Sequence, residues 1–175
     1  MKKYIESNGL KVRHLIATHG HIDHNFGDKF VYDTWGVKPE AGTADDQLFK
    51  SMPEQAKAIC GIDNLTQDDF VCVGKCLDEH DTVDFGSHKF TVLETPGHSP
   101  GGLTYYCEQE RVAFTGDTLF QGSIGRTDFE GGSMFMMLMS LRHLSQLPDD
   151  VRVFPGHGAE TTIGAEVASN PYIDR

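Results

Sequence analysis

Thr18-His19-Gly20-His21-Ile22-Asp23-His24 is the stretch from which the rest of the chain is read. It places three histidines and an aspartate within six positions, directly after the apolar run Leu15-Ile16-Ala17. An apolar run before a turn is the pattern of a buried strand, so the cluster is expected where a strand gives way to a helix. Neutral imidazoles and a carboxylate are ligands that zinc, iron and manganese accept. Side chains crowded this tightly converge only with something positive between them. The competing reading is a solvated polar loop in a chain that holds nine histidines. The density of ligand-type groups in one turn favours a metal site.

Bulk composition narrows the partners. A length of 175 residues suits a single domain, 1–175, with room for a sizeable core. Fifteen Lys and Arg against 26 Asp and Glu give a net charge of −11. Nucleic-acid phosphates call for a basic patch, so this balance excludes nucleic acid as an expected partner. No apolar run reaches membrane-spanning length and no leader pattern opens the chain, so a cytoplasmic protein without a membrane partner is expected. Cys60, Cys72, Cys76 and Cys107 lack zinc-knuckle spacing and read as reduced, partly buried thiols.

Around the cluster the pattern is layered. Met1 to Ser7 reads as the end of an amphipathic helix stopped at Asn8-Gly9, and Val12 to Thr18 as a strand. Helices are expected over Asn25 to Trp35 and over Ala44 to Ile59, the second interrupted near Pro53. Asp63 to Lys75 is polar and weakly patterned, a long excursion. From Thr82 the period becomes two: Thr82 to Gly86, His88 to Glu94, Leu103 to Cys107 and Arg111 to Thr115 form an antiparallel set. Met134 to Leu144 is a helix with Met134, Met137, Leu138, Leu141 and Leu144 on one side. Its methionines invite a ligand-groove reading, but the helical spacing favours core packing. A last strand runs from Val151 to Phe154. Strands preceding helices in both halves imply a layered α/β arrangement.

Three later spots share one design, an apolar strand ending in a glycine-marked turn that presents one ligand-type residue. They are Glu94-Thr95-Pro96-Gly97-His98, Phe114-Thr115-Gly116-Asp117 and Phe154-Pro155-Gly156-His157. Glycine permits the sharp turn and a close backbone approach. His14, His80, His88 and His143 lack that setting and are expected on surfaces or strand faces.

With these four motifs the chain resembles the metallo-β-lactamase fold, and within it the short glyoxalase II-like hydrolases, from about Lys11 onward. The resemblance implies a four-layer αββα sandwich of the α/β (α+β) class with two divalent metal ions at one end. Zinc is the expected metal, with iron or manganese as alternatives. By this resemblance His19, His21 and His98 hold the first ion, Asp23, His24 and His157 the second, and Asp117 bridges them. Asp23 and Asp117 are then the catalytic carboxylates. A carboxylate can span cations roughly 3.5–4 Å apart, as a two-metal clamp requires.

The implied reaction is attack of a metal-activated hydroxide on an ester or thioester, with S-acylglutathione-type compounds as the substrate the resemblance implies. No Ser/His/Asp arrangement competes with it, and a thiolate leaving group needs little protonation. Arg126, in Gly125-Arg126-Thr127-Asp128-Phe129, is the candidate substrate contact because its fork suits a carboxylate. The same residues suit an Arg126–Asp128 pair that only shapes the loop.

Relative to that family, the opening strands and the C-terminal helical region of full glyoxalase II enzymes are expected to be absent, giving an N-terminally truncated sandwich with an exposed sheet edge. Two other readings stand beside hydrolysis. Persulfide dioxygenases resemble this chain in the Arg126 loop but use one Fe(II), here on His21 or its neighbour, His98 and Asp117. The Pro155-Gly156-His157-Gly158 motif favours the hydrolase. The other reading is a truncated chain that binds metal and turns over little. Export-dependent β-lactamases and RNA-processing relatives are disfavoured by the absence of a leader and by the charge.

Overall fold

A computed structural model describes residues 1–173. The chain opens with α1 (Lys2–Ser7), which buries none of its residues, and reaches β1 (Leu15–Ile16). Two short helices follow the cluster, α2 (Ile22–Asn25) and α3 (Asp28–Trp35), the latter stopped by Gly36 in the left-handed conformation. Next come β2 (Pro39–Gly42), a 3-10 turn at Thr43–Asp45, α4 (Asp46–Lys50) and α5 (Met52–Cys60). The excursion from Asp63 holds only one 3-10 turn, Gln67–Asp69, before β3 (Lys75–Leu77).

The second half supplies β4 (Thr82–Phe85), β5 (His88–Glu94), β6 (Leu103–Cys107), β7 (Val112–Gly116), and the hairpin of β8 (Leu119–Phe120) and β9 (Ser123–Ile124). It ends with α6 (Met134–Leu144), β10 (Arg152–Pro155), β11 (Thr161–Thr162) and α7 (Ile163–Ser169).

The strands form two main sheets. β1, β2 and β3 make a small parallel sheet, and β4 to β7 make an antiparallel run that continues through β10 to β11. β10 lies parallel to β7, with a register shift between Phe154 and Pro155. Three apolar clusters set the layers. Leu77, Val83, Val92, Leu103 and Tyr105 pack between the sheets. Leu93, Ala113, Met137, Leu141, Leu144, Val153 and Ile163 pack the large sheet against α6 and α7. Ala17, Ala41, Phe49, Met52 and Ala56 pack the small sheet against α4 and α5. The order is therefore helix, sheet, sheet, helix: an αββα sandwich. Buried Tyr105 joins the sheets, its hydroxyl donating to the Ala17 carbonyl at 2.8 Å.

Several local expectations change. The strand expected from Val12 shrinks to Leu15–Ile16, because the residues before it are largely exposed. The interruption expected near Pro53 in the 44–59 helix is present, at Ser51 between α4 and α5, where the Ser51 hydroxyl bonds the Leu48 carbonyl at 3.1 Å. Side chain-to-backbone bonding of this kind ends a helix. On α6, Met137, Leu141 and Leu144 are buried, but Met134 and Leu138 are 45% and 43% exposed. The buried face instead turns through Ser140, whose hydroxyl donates to the Pro96 carbonyl at 2.6 Å. The cysteines are all free, yet only Cys107 is buried; Cys60, Cys72 and Cys76 are exposed, since they lie at a helix end, in a loop and on an edge strand. No helix of the described residues is long and apolar enough to cross a membrane.

Candidate metal centre

All the ligand-type residues of the four motifs meet at one end of the sandwich, on loops that leave β1, β5, β7 and β10. Strand ends position loop residues firmly, which is how a rigid scaffold presents reactive groups. Three groups of ligand atoms lie within 4.8 Å of one another: His19, His21 and His98; His19, His24 and Asp117; and Asp23, His24 and His157. Every residue expected to ligate is among them.

The ring nitrogens have defined roles. His98 Nδ1 lies 2.8 Å from the Arg126 carbonyl, to which it donates, so Nε2 carries the free lone pair. His19 Nδ1 is 3.1 Å from the Thr18 hydroxyl, which again turns Nε2 inward. His21 presents Nδ1, 2.8 Å from His98 Nε2. On the other side, His157 Nε2 is 3.3 Å from Asp23 Oδ2, and His24 Nε2 is 3.5 Å from the same oxygen. Asp117 lies between the groups. Its Oδ1 faces His24 Nε2 at 3.4 Å, while Oδ2 faces His98 Nε2 at 3.6 Å and His157 Nε2 at 3.5 Å.

Among the described residues, His19 Nε2, His24 Nε2 and Asp117 Oδ1 are buried without a hydrogen-bond partner. A buried polar atom left unpaired costs free energy, and here three such atoms point at a common space. Imidazole nitrogens and carboxylate oxygens converging in this way fit divalent metal ions.

Electrostatics agrees. Burial, then His24 and the other imidazoles, hold His19 well below the usual histidine range. Burial, then His98, lowers His21 as well. Burial pulls His24 down too, but Asp117 and then Asp23 outweigh it and leave it raised. For Asp117 burial pushes upward, yet His24, His98 and His157 overcome that and leave it lowered. His19 and His21 are thus poised as neutral imidazoles and Asp117 as an ionised carboxylate, the forms that bind cations.

Other residues hold the loop. Asn25 Nδ2 donates to the carbonyls of His19 and His21 at 2.8 and 2.7 Å. Gln55 on α5 accepts from the Ile22 N–H at 3.0 Å and donates to the Gly20 carbonyl at 3.2 Å. Asp45 accepts from the Gly20 N–H at 2.8 Å. Sequence reading missed Asn25, Gln55 and Asp45, since nothing local distinguishes them from ordinary helix-end polar residues.

The centre opens into a cleft of about 550 Å³ lined by apolar Ala58, Ile59, Phe120, Ile124 and Phe129. Arg126 also lines it, but its Nε and Nη2 donate to Asp128 at 2.9 and 3.0 Å and its guanidinium stacks over Phe129. The side chain therefore shapes the loop and reaches the cleft at once. Away from the centre, His14 pairs with Glu40 at 2.6 Å, His80 with Glu79 at 3.3 Å and His88 with Glu110 at 2.7 Å.

A family model of the metallo-beta-lactamase superfamily matches residues 2–157. The chain belongs to that superfamily. Among curated relatives, hydroxyacylglutathione hydrolase GloC of Haemophilus influenzae is 38% identical over 176 residues, 97% of this chain and 80% of that protein. Among solved structures of the superfamily, the BLEG-1 B3 metallo-beta-lactamase is 33% identical with a TM-score of 0.86, over 98% of this chain and 81% of that one. TTHA1623, solved in a di-iron-bound form, is 30% identical with a TM-score of 0.82, over 98% and 83%.

Proposed function

We propose that the chain, acting as a single domain, is a binuclear metal-dependent hydrolase of small-molecule thioesters or esters, with S-acylglutathiones as the substrate type. The observation that carries this reading is Asp117, whose two oxygens face histidines of both ligand groups. In it His19, His21 and His98 hold one ion, Asp23, His24 and His157 hold the other, and Asp117 contributes to both. Zinc is the first expectation, and iron or manganese suit the same donors. Two such cations, when bound, lower the pKa of water to near neutrality and polarise a carbonyl.

The chain's own residues do the rest. Asp23 and Asp117 supply the negative charge that keeps both cations in place. The Arg126 carbonyl fixes the tautomer of His98. Phe129, whose ring centroid lies 5.2 Å from that of His21 and 5.6 Å from that of His98, keeps bulk water off one side. The Arg126 guanidinium receives a substrate carboxylate in exchange for Asp128, as its forked geometry allows. A thiolate leaves without a general acid, and no proton donor is required of this cleft. Similarity to a hydroxyacylglutathione hydrolase supports the substrate type.

The test is hydrolysis of S-lactoylglutathione by the purified chain, with Asp117→Ala as the control. Turnover that the variant loses is expected. Oxygen uptake on glutathione persulfide, with no hydrolysis, would overturn the reading in favour of a one-iron dioxygenase.

A further inference from the structure

Asp45 closes the 3-10 turn after β2 and is fully buried. Its Oδ2 accepts from the Gly20 N–H and from the Ser99 hydroxyl, each at 2.8 Å, and its Oδ1 accepts from the Gly101 N–H at 2.5 Å. Gly20 stands between His19 and His21, and Ser99 follows His98. One carboxylate thus ties together the two loops that carry these three histidines. Among the described residues no lysine or arginine forms an ion pair with it. A buried carboxylate without a cation is costly even when its lone pairs are filled, so a positive charge nearby would stabilise it.

The joint has no slack. A Cβ on Gly20 would fall 2.6 Å from Leu48 Cβ, and one on Gly101 would fall 2.5 Å from the Asp45 backbone nitrogen. The loops touch the carboxylate through backbone and a short hydroxyl, so a shift of Asp45 carries straight to the imidazoles.

We propose that Asp45 is a positioning residue for the His19, His21 and His98 half of the centre, a role that rests on the two-metal reading above. It holds the two loops at one separation and sets a negative charge behind the imidazoles. Asn25 and Gln55 steady the first loop alone; only Asp45, of the three, also grips the loop of His98. An asparagine at 45 keeps the shape but offers a single carbonyl and an N–H₂ where three donors converge, so at least one donor loses its partner.

The full chain, loaded with zinc, is equilibrated against a series of buffers of graded free zinc, and zinc per chain is measured with the melting temperature. Partners behind metal ligands typically change affinity by about 10- to 100-fold. Asp45→Asn is therefore expected to release one of two zinc ions at 10- to 100-fold higher free zinc, with the other unmoved. Ser99→Ala, which removes one donor and leaves Asp45 in place, shifts the same ion by a smaller factor. It decides the matter if Asp45→Asn does not fold. Glu166→Gln is the structural control. Glu166 is equally buried and accepts from Thr161, Gly122 and Asn170, but it holds the β8–β9 turn and no histidine loop. That variant is expected to melt earlier and keep both ions. Wild-type zinc retention in Asp45→Asn and Ser99→Ala would overturn the proposal, as would parallel loss of both ions. A wild-type chain that binds no zinc would overturn the metal centre itself.

Discussion

Gly156→Ala separates the centre from the fold that carries it. Gly156 precedes His157, and its φ lies outside the left-handed region, so alanine brings no backbone strain. Its N–H donates to the Gly116 carbonyl at 2.8 Å, a bond the substitution leaves intact. The added Cβ, however, would lie 2.2 Å from Asp117 Oδ1 and 2.7 Å from His24 Cε1, where ordinary contact begins at 3.4 Å. The carboxylate must retreat by about 1 Å, a misplacement able to cost about 100-fold in rate, or roughly 2.7 kcal/mol of transition-state stabilisation. The expected result is a fall of about 100-fold in kcat/KM for thioester hydrolysis, with weakened metal retention. The melting temperature should move by no more than about 4 °C, since the packed core is untouched. Thioesterase assay, elemental analysis and thermal denaturation of one sample give all three readings. A variant with two metals and activity within about twofold of wild type would refute the placement of Asp117 against Gly156.

Four further outcomes follow from the same geometry. Leu141→Ala, in the fully buried cluster under α6, should cost about 2–5 kcal/mol and lower the melting temperature without changing metal content. Arg126→Ala should retain both metals, because His98 is held by the backbone carbonyl at 126, and should raise KM for S-acylglutathiones; an unchanged KM would leave Arg126 a loop-shaping residue only. Burial raises the Asp28 carboxyl from 3.8 to about 7, so the folded chain holds a proton there that the unfolded chain has lost, and stability declines as pH rises through that window. Asp28→Asn removes the decline, and its gain in melting temperature should be larger at pH 8 than at pH 5. Burial keeps His19 and His21 neutral to below the ordinary value of 6.5, whereas burial of His24 is outweighed by Asp117 and Asp23, which leave it raised. On acidification the ion on Asp23, His24 and His157 should therefore be released before the one on His19, His21 and His98, as metal content measured across pH would show. Release of both ions in a single step, or of the His19, His21 and His98 ion first, would contradict that.

The centre was largely legible in the sequence because metal binding demands particular side chains on glycine-marked turns, and those turns stand out one by one. His19 to His24, His98, Asp117 and His157 all arrive where the motifs place them. The antiparallel strands β4 to β7 were legible too, since each is a run of four residues or more carrying β-branched and aromatic side chains. β2 was not: Pro39-Glu40-Ala41-Gly42 is buried at every position and has neither alternation nor β-branched residues. β3, β8, β9 and β11 are only two or three residues long and exist through their neighbours rather than their own pattern. α7 begins on a Thr162 cap that bonds the Ala165 N–H at 3.2 Å, a signal present in the sequence but set in a small-residue stretch that masks it. Asp45 illustrates the deeper limit. Its importance comes from Gly20, Ser99 and Gly101, which approach it from 25 to 56 residues away.

The most direct measurement is anomalous X-ray scattering from crystals of the metal-loaded chain at the absorption edge of its metal. The account predicts two peaks roughly 3.5–4 Å apart on either side of the Asp117 carboxylate, one within His19, His21 and His98 and one within Asp23, His24 and His157. A single peak, with either set of three side chains left without an ion at full loading, would contradict it.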